Sequence, residues 1–164
     1  MKFIIIQFLS FLAWSFVFLS YYRKDTNKIL LFQIMGNITF CIHYLFLEAY
    51  SGLFICLIDA ICNLGYYKTE KDELIYYVSI PFRILGGILS GKVLIDVLPV
   101  CGSLIEGYTL TKTKKIVVIG GIITYLIWAI YDFNFMSYIG MIFDLIIVFS
   151  NISILYREFK IKKY

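Results

Sequence analysis

The sequence predicts an all-α, polytopic membrane protein with seven transmembrane helices, and three observations carry that prediction. First, 61% of the 164 residues are hydrophobic and only 16% charged, with a mean hydropathy of +0.85. A soluble domain carries about a quarter charged residues, so this apolar surface does not fit one small core in water. Second, seven apolar runs are separated by short polar loops, and Lys and Arg gather in alternate loops. Third, the polar landmarks of the first half recur in the second at a spacing of about 86 residues, the mark of an internal repeat.

The first run, 3–21, ends in a Ser-Tyr-Tyr-Arg stretch that reads as a helix end with interfacial aromatics. It is too long for the apolar core of a signal peptide, and no small-residue cleavage site follows. A basic loop with Arg23, Lys24 and Lys28 leads to the second run, 29–47, which holds Asn37 and His43. A turn over 48–52 has no basic residue. The third run, 53–67, carries Asp59 and Asn63, and a charged loop over 68–72 follows. The fourth, 73–90, is apolar but contains Pro81, Arg83 and Gly86-Gly87. After the Gly91-Lys92 turn, the fifth run, 93–110, carries Asp96, Pro99 and Glu106. A second basic loop, with Lys112, Lys114 and Lys115, precedes the sixth run, 116–131, with Gly120-Gly121 and Trp128. A turn over 132–136, again without basic residues, leads to the seventh run, 137–156, with Asp144 and Asn151. The tail is basic: Arg157, Lys160, Lys162 and Lys163. The third and sixth runs are shorter than the ~20 residues that span hydrocarbon, so they must extend into their turns or stand upright.

The basic loops set an orientation. Cationic loops stay cytoplasmic, which puts the N-terminus outside and the C-terminus in the cytoplasm of a bacterial inner membrane. The same clustering at the ends of apolar runs explains the net charge of +4 and argues against a nucleic-acid partner. Cys41, Cys56, Cys62 and Cys101 all fall inside apolar runs without metal-ligand spacing, so they read as small buried hydrophobes. One membrane-embedded domain, 1–164, is expected: a three-helix repeat over 1–67, a linker helix over 73–90, and a second repeat over 92–157. An odd linker helix restores the orientation of the second triplet, so the repeats are parallel. In this alignment Asp59 falls beside Asp144, and Asn63 near Asn151.

Several stretches together resemble the YgjV-type bacterial inner-membrane proteins. They are Val97-Leu98-Pro99-Val100-Cys101-Gly102-Ser103, the basic loop after it, the Trp128 helix end, Ser137-Tyr138-Ile139-Gly140, Asn151 and Arg157. In the first half, Ile42-His43-Tyr44 and Asp59-Ala60-Ile61 sit where that family has similar runs. Cys62 departs from the pattern, which has Arg there. The helix layout is also similar to the three-one-three arrangement of SWEET-type sugar transporters and PnuC-type vitamin-precursor transporters. The chain lacks the SWEET hallmark of a proline in the first helix of each repeat: only Pro99 is present, with Ala13 near its counterpart. Sugar transport is therefore not carried over.

Ionisable and amide side chains at membrane depth are costly and mark function or interhelical bonding. Asp59 and Asn63 share a helix face, as residues four apart do. Asp144 and Asn151 lie two turns apart on another. With Asn37 they form a candidate substrate-binding set facing a central cavity; the alternative is structural hydrogen bonding between helices. His43, Asp59 and Asp144 are candidates for proton or cation coupling, although a lone histidine near a helix end fits packing or interfacial anchoring as well. Arg83 needs a partner, for which Glu106 and Asp96 are candidates. Pro99 reads as a hinge or a static kink. Trp14 and Trp128 can stack on a ring-shaped solute, while the position of Trp128 near a helix end favours a membrane-belt role. Nothing resembles a hydrolase triad, HExxH, a P-loop or GxSxG, so no enzyme, metal or cofactor is expected. The resulting expectation is a small-solute transporter working by alternating access. The alternatives are a receptor, immunity or accessory partner on a transporter-like fold, or a small channel. Glycine and aromatic faces are compatible with a homodimer.

Overall fold

The computed structural model describes residues 2–69, 72–89, 93–110 and 112–157. They form seven helices: α1 (Lys2–Tyr21), α2 (Thr26–Phe46), α3 (Tyr50–Lys68), α4 (Asp72–Leu89), α5 (Val93–Leu110), α6 (Lys114–Asn134) and α7 (Tyr138–Leu155). The Gly91-Lys92 turn, the loop residues Glu70, Lys71 and Thr111, and the tail lysines Lys160, Lys162 and Lys163 lie outside the described residues.

Helices are what apolar runs of this length must form in lipid, because each backbone N–H and C=O then finds its partner within the segment. Five helices, α1, α2, α3, α6 and α7, are long and apolar enough to cross a membrane. The other two are 18 residues each and run continuously through an internal proline, Pro81 and Pro99. Large apolar side chains such as Ile4, Ile61, Ile88 and Phe149 cover the outer surface, which suits a lipid solvent.

The two short runs lengthen into their turns: α3 reaches 19 residues and α6 reaches 21. This corrects the reading of 132–136 as a turn. Asp132 is the nineteenth residue of a helix that ends at Asn134, and it is buried. The α2–α3 and α6–α7 connections are the same device. Glu48 (φ 58°) and Met136 (φ 59°) both adopt the left-handed conformation that closes a helix C-terminus. The next N–H then reaches back five residues, Ala49 to the Tyr44 carbonyl at 3.0 Å and Ser137 to the Asp132 carbonyl at 2.8 Å. At the opposite end of the bundle, Asp25 caps α2 by accepting from the Asn27 and Lys28 N–H groups.

Packing is cyclic. Helix α1 packs on α2, α2 on α3, α3 on α5, α5 on α6, α6 on α7, and α7 back on α1. Helix α4 packs on α3 and α5 and covers the seam between them. The ring is filled at the end bearing the α2–α3 and α6–α7 turns by Tyr44, Ala49, Cys56 and Tyr131, with Phe40, Trp128 and Phe135 packed against them.

Candidate functional site

At that filled end, polar side chains bond to one another across the ring. His43 of α2 lies between α1 and α7: its Nδ1 is 2.9 Å from the Ile6 carbonyl and its Nε2 is 2.9 Å from Ser137 Oγ. Ser137 Oγ also lies 3.0 Å from Asp132 Oδ2, while Tyr44 donates to Asp132 Oδ1 at 2.8 Å. A carbonyl only accepts, so His43 Nδ1 carries a proton. Two arrangements then satisfy the rest of the chain. Either His43 is an imidazolium donating to Ser137, which donates to a carboxylate at Asp132, or Asp132 is protonated and donates to Ser137, which donates to a neutral His43. The two differ by the transfer of one proton along the chain.

A second cluster closes the other side. Ser51 donates to Asp96 Oδ1 at 2.8 Å, so the Tyr131 hydroxyl donates to Ser51 at 2.9 Å and accepts from the Gly52 N–H at 2.9 Å. Gln7 of α1 bonds the α6–α7 turn twice, donating to the Met136 carbonyl and accepting from the Ile139 N–H. Glycine is required beneath both clusters. A Cβ on Gly140 would overlap Asp132 Oδ2 and crowd Ser137 Oγ, and one on Gly52 would meet the Tyr131 ring and hydroxyl at 2.9 Å.

Below this seal lies a cavity of about 470 Å³, lined by residues of all seven helices. Its lining runs from Tyr44 and Asp132 at the seal to Tyr21 and Thr109, in the last turns of α1 and α5 at the opposite, basic-loop end. The walls combine aromatic rings with carboxyl groups. Tyr44 stacks on Trp128 with centroids 6.0 Å apart, and Trp14 meets Phe40 edge-on at 5.7 Å. Gly102 makes room for the indole of Trp128, leaving 3.2 Å between its Nε1 and the place of a Cβ. Arg83 enters from α4. Its Nη1 lies 2.7 Å from Asp59 Oδ1, its Nε donates to Ser79 at 3.0 Å, and its Nη2 points to Cys62 Sγ at 3.9 Å. The Arg83 side chain is 5% exposed but that of Asp59 is 29%, which leaves the carboxylate open to the cavity.

Asn37, Asp59, Asn63, Asp144 and Asn151 all line this cavity. His43 does not: it is fully buried and packed, meeting the lining residues Tyr44 and Phe40 edge-on, and its hydrogen-bonded link to the lining residue Asp132 runs through Ser137. Pro99 is buried within α5 away from the lining. Arg83 pairs with Asp59 rather than with Glu106 or Asp96, because α4 lies over the α3–α5 seam while Asp96 is engaged by Ser51 at the seal. Trp128 turns inward rather than joining a membrane belt. Asp132, Tyr44 and Glu106 also line the cavity and were not among the expected site residues. Their signal was present: Asp132 lies one helix length beyond Lys114, and Tyr44 follows the only histidine.

Seven helices around a cavity walled by aromatic rings and carboxyl groups, five of them able to span a bilayer by length and apolarity, define a polytopic membrane protein. The family model Imp-YgjV, described as a bacterial inner membrane protein, matches residues 4–162, and the chain belongs to this family. No curated protein and no solved structure matches it significantly.

Proposed function

We propose that this protein is a small-solute transporter of the bacterial inner membrane that works by alternating access. The observation that carries the reading is the cavity of about 470 Å³, walled by all seven helices and capped at one end by a saturated hydrogen-bond network. Its volume falls within the range of small-molecule sites, about 300–1,000 Å³. In this reading all seven helices span the bilayer. The N-terminus is outside and the C-terminus cytoplasmic, so the sealed end faces outward and the basic loops inward.

The reading includes two parallel repeats, 1–67 and 92–157, joined by the 73–90 helix in a SWEET-like layout. Three features support it. The contact order repeats, since α1–α2–α3 pack as α5–α6–α7 do and each third helix meets the first helix of the other triplet. Glu48 and Met136, 88 positions apart, make the same turn. At the same offset, Asn63 pairs with Asn151, Tyr44 with Asp132, and Phe40 with Trp128, all on the cavity wall. That register differs from the offset of about 86 read from the sequence. It pairs Asp144 with Cys56, and Asp59 with Ile147, so the two aspartates become separate specialisations of each half.

Asn37, Asn63 and Asn151 would supply amide contacts to the solute, with Asp59 and Asp144 binding it or a coupling ion. The His43–Ser137–Asp132 chain would move a proton as the seal opens. Pro99, which leaves a backbone carbonyl of α5 without its usual donor, would provide the hinge. A receptor or accessory role, the second reading, calls for a cavity filled by bulky side chains, and the open volume favours transport. Proteoliposomes test the choice: solute- or pH-driven flux should appear and fall in Asp144→Asn. Unchanged flux in both Asp144→Asn and Asp59→Asn would remove the carboxylates from the mechanism.

A further inference from the structure

We infer that the solute taken by the cavity is an organic cation: a compact amine or quaternary ammonium carrying a hydrogen-bond acceptor. The inference deepens the transport reading and rests on it for the solute's path across the membrane, but binding itself is separable from flux.

Charge balance is the first ground. The lining holds four carboxyl groups, Asp59, Glu106, Asp132 and Asp144, and one cationic side chain, Arg83. Asp59 takes that guanidinium at 2.7 Å. Asp132 is held by Tyr44 and Ser137. Glu106, half-buried, likewise makes no side-chain hydrogen bond or ion pair among the described residues. Asp144 is the more deeply buried of these two unpaired carboxyl groups. It is 3% exposed, lines the cavity, and makes no hydrogen bond or ion pair with any described residue; its charged neighbours are Asp132 and Glu106. A buried carboxyl group with no donor is expensive. A bound cation offsets that cost.

The second ground is the shape and chemistry of the wall. Trp14, Phe40, Tyr44, Tyr125 and Trp128 enclose the same space as Asp144. Ring faces beside a carboxylate are the surroundings in which a poorly hydrated ammonium group is held, by cation–π attraction added to charge. The anion alternative fails because the one guanidinium in the lining, that of Arg83, is already paired. A neutral sugar fits poorly as well, since it would leave the carboxyl imbalance in place. The third ground is the Trp14 indole N–H, which is buried and has no acceptor. Trp14 lines the cavity, and an acceptor atom on the solute would complete the N–H once the wall yields enough to expose it.

The chain has two tryptophans, Trp14 and Trp128, and both line the cavity, so intrinsic fluorescence reports directly on occupancy. The test titrates the full chain, in a maltoside detergent free of choline lipids, with choline, ethanolamine, neohexyl alcohol (the uncharged isostere of choline) and pivalate. The expected result is a saturable change with at least one of the two cations, at least ~10-fold tighter than with neohexyl alcohol, and none with pivalate. Asp144→Asn should weaken cation binding by ~10-fold or more without lowering the melting temperature. Equal binding of the uncharged isostere, binding of pivalate, no saturable response to either cation, or unchanged affinity in Asp144→Asn would each overturn the inference. Cation binding without flux in proteoliposomes would remove transport and leave this site standing. Flux of a neutral solute without cation binding would do the reverse.

Discussion

The two ends of the ring handle buried polarity in opposite ways. At the sealed end His43, Ser137, Asp132, Tyr44, Ser51, Tyr131 and Asp96 are linked in two hydrogen-bonded clusters. Below it, Asp144 has no described hydrogen-bond or ion-pair partner, the Trp14 N–H has no acceptor, and Asp59 shares Arg83 while still facing open space. Residue type does not separate these groups, since aspartates occur in both. Saturation does. Where every donor meets an acceptor, the polar group joins helices; where it does not, the group is positioned for something the protein does not itself contain.

That contrast can be broken at several points, beginning with the largest effect. Arg83→Met should destabilise the protein by about 3 kcal/mol, because Asp59 loses its counter-charge. The double variant Arg83→Met/Asp59→Asn should recover most of the loss in a thermal melt, and failure to recover would mean that the guanidinium acts mainly through Ser79 and Cys62. Gly140→Ala comes next, at about 2 kcal/mol, since its methyl group would displace the Asp132 carboxyl group from Ser137. Here the measurement is the yield and melting temperature of detergent-extracted protein, and wild-type values would contradict the close approach.

His43→Ala removes bonds to the Ile6 carbonyl and Ser137 and should cost about 1–2 kcal/mol, less than a soluble core would lose because interhelical hydrogen bonds in membranes are weak. The smallest stability effect belongs to Asp144→Asn, expected to stay within about 0.5 kcal/mol of wild type or to stabilise slightly, because no described hydrogen bond or ion pair is lost. A melt lowered as far as that of His43→Ala would put Asp144 among the structural residues.

Much of this organisation was legible before any coordinates. Hydropathy and loop charge marked seven helices, and isolated Asp and Asn residues within apolar runs marked the cavity wall, because such groups rarely face lipid. The errors share a cause. Tyr131-Asp132-Phe133-Asn134 has turn-like composition, and only packing beneath Gly140 shows why the helix continues through it. Pairing Arg83 with Asp59 needed the position of α4 over the α3–α5 seam, which chain order does not reveal. The inward turn of Trp128 depends on the room left by Gly102 on a neighbouring helix. In each case, a packing contact outside the local run overrode the reading that composition favoured.

The most direct test of the two-ended account is cysteine accessibility in native inner-membrane vesicles, with Cys41, Cys56, Cys62 and Cys101 replaced and one new thiol placed at a time. Asn63→Cys and Asn151→Cys sample the cavity, while Ser51→Cys and Ser137→Cys sample the seal. A membrane-impermeant maleimide applied to the cytoplasmic face should label the two cavity positions rapidly and the two seal positions at least ~10-fold more slowly, in line with the protection of hydrogen-bonded, packed segments. Equal rates at all four positions, or faster labelling at the seal, would contradict a cavity open at one end and closed at the other.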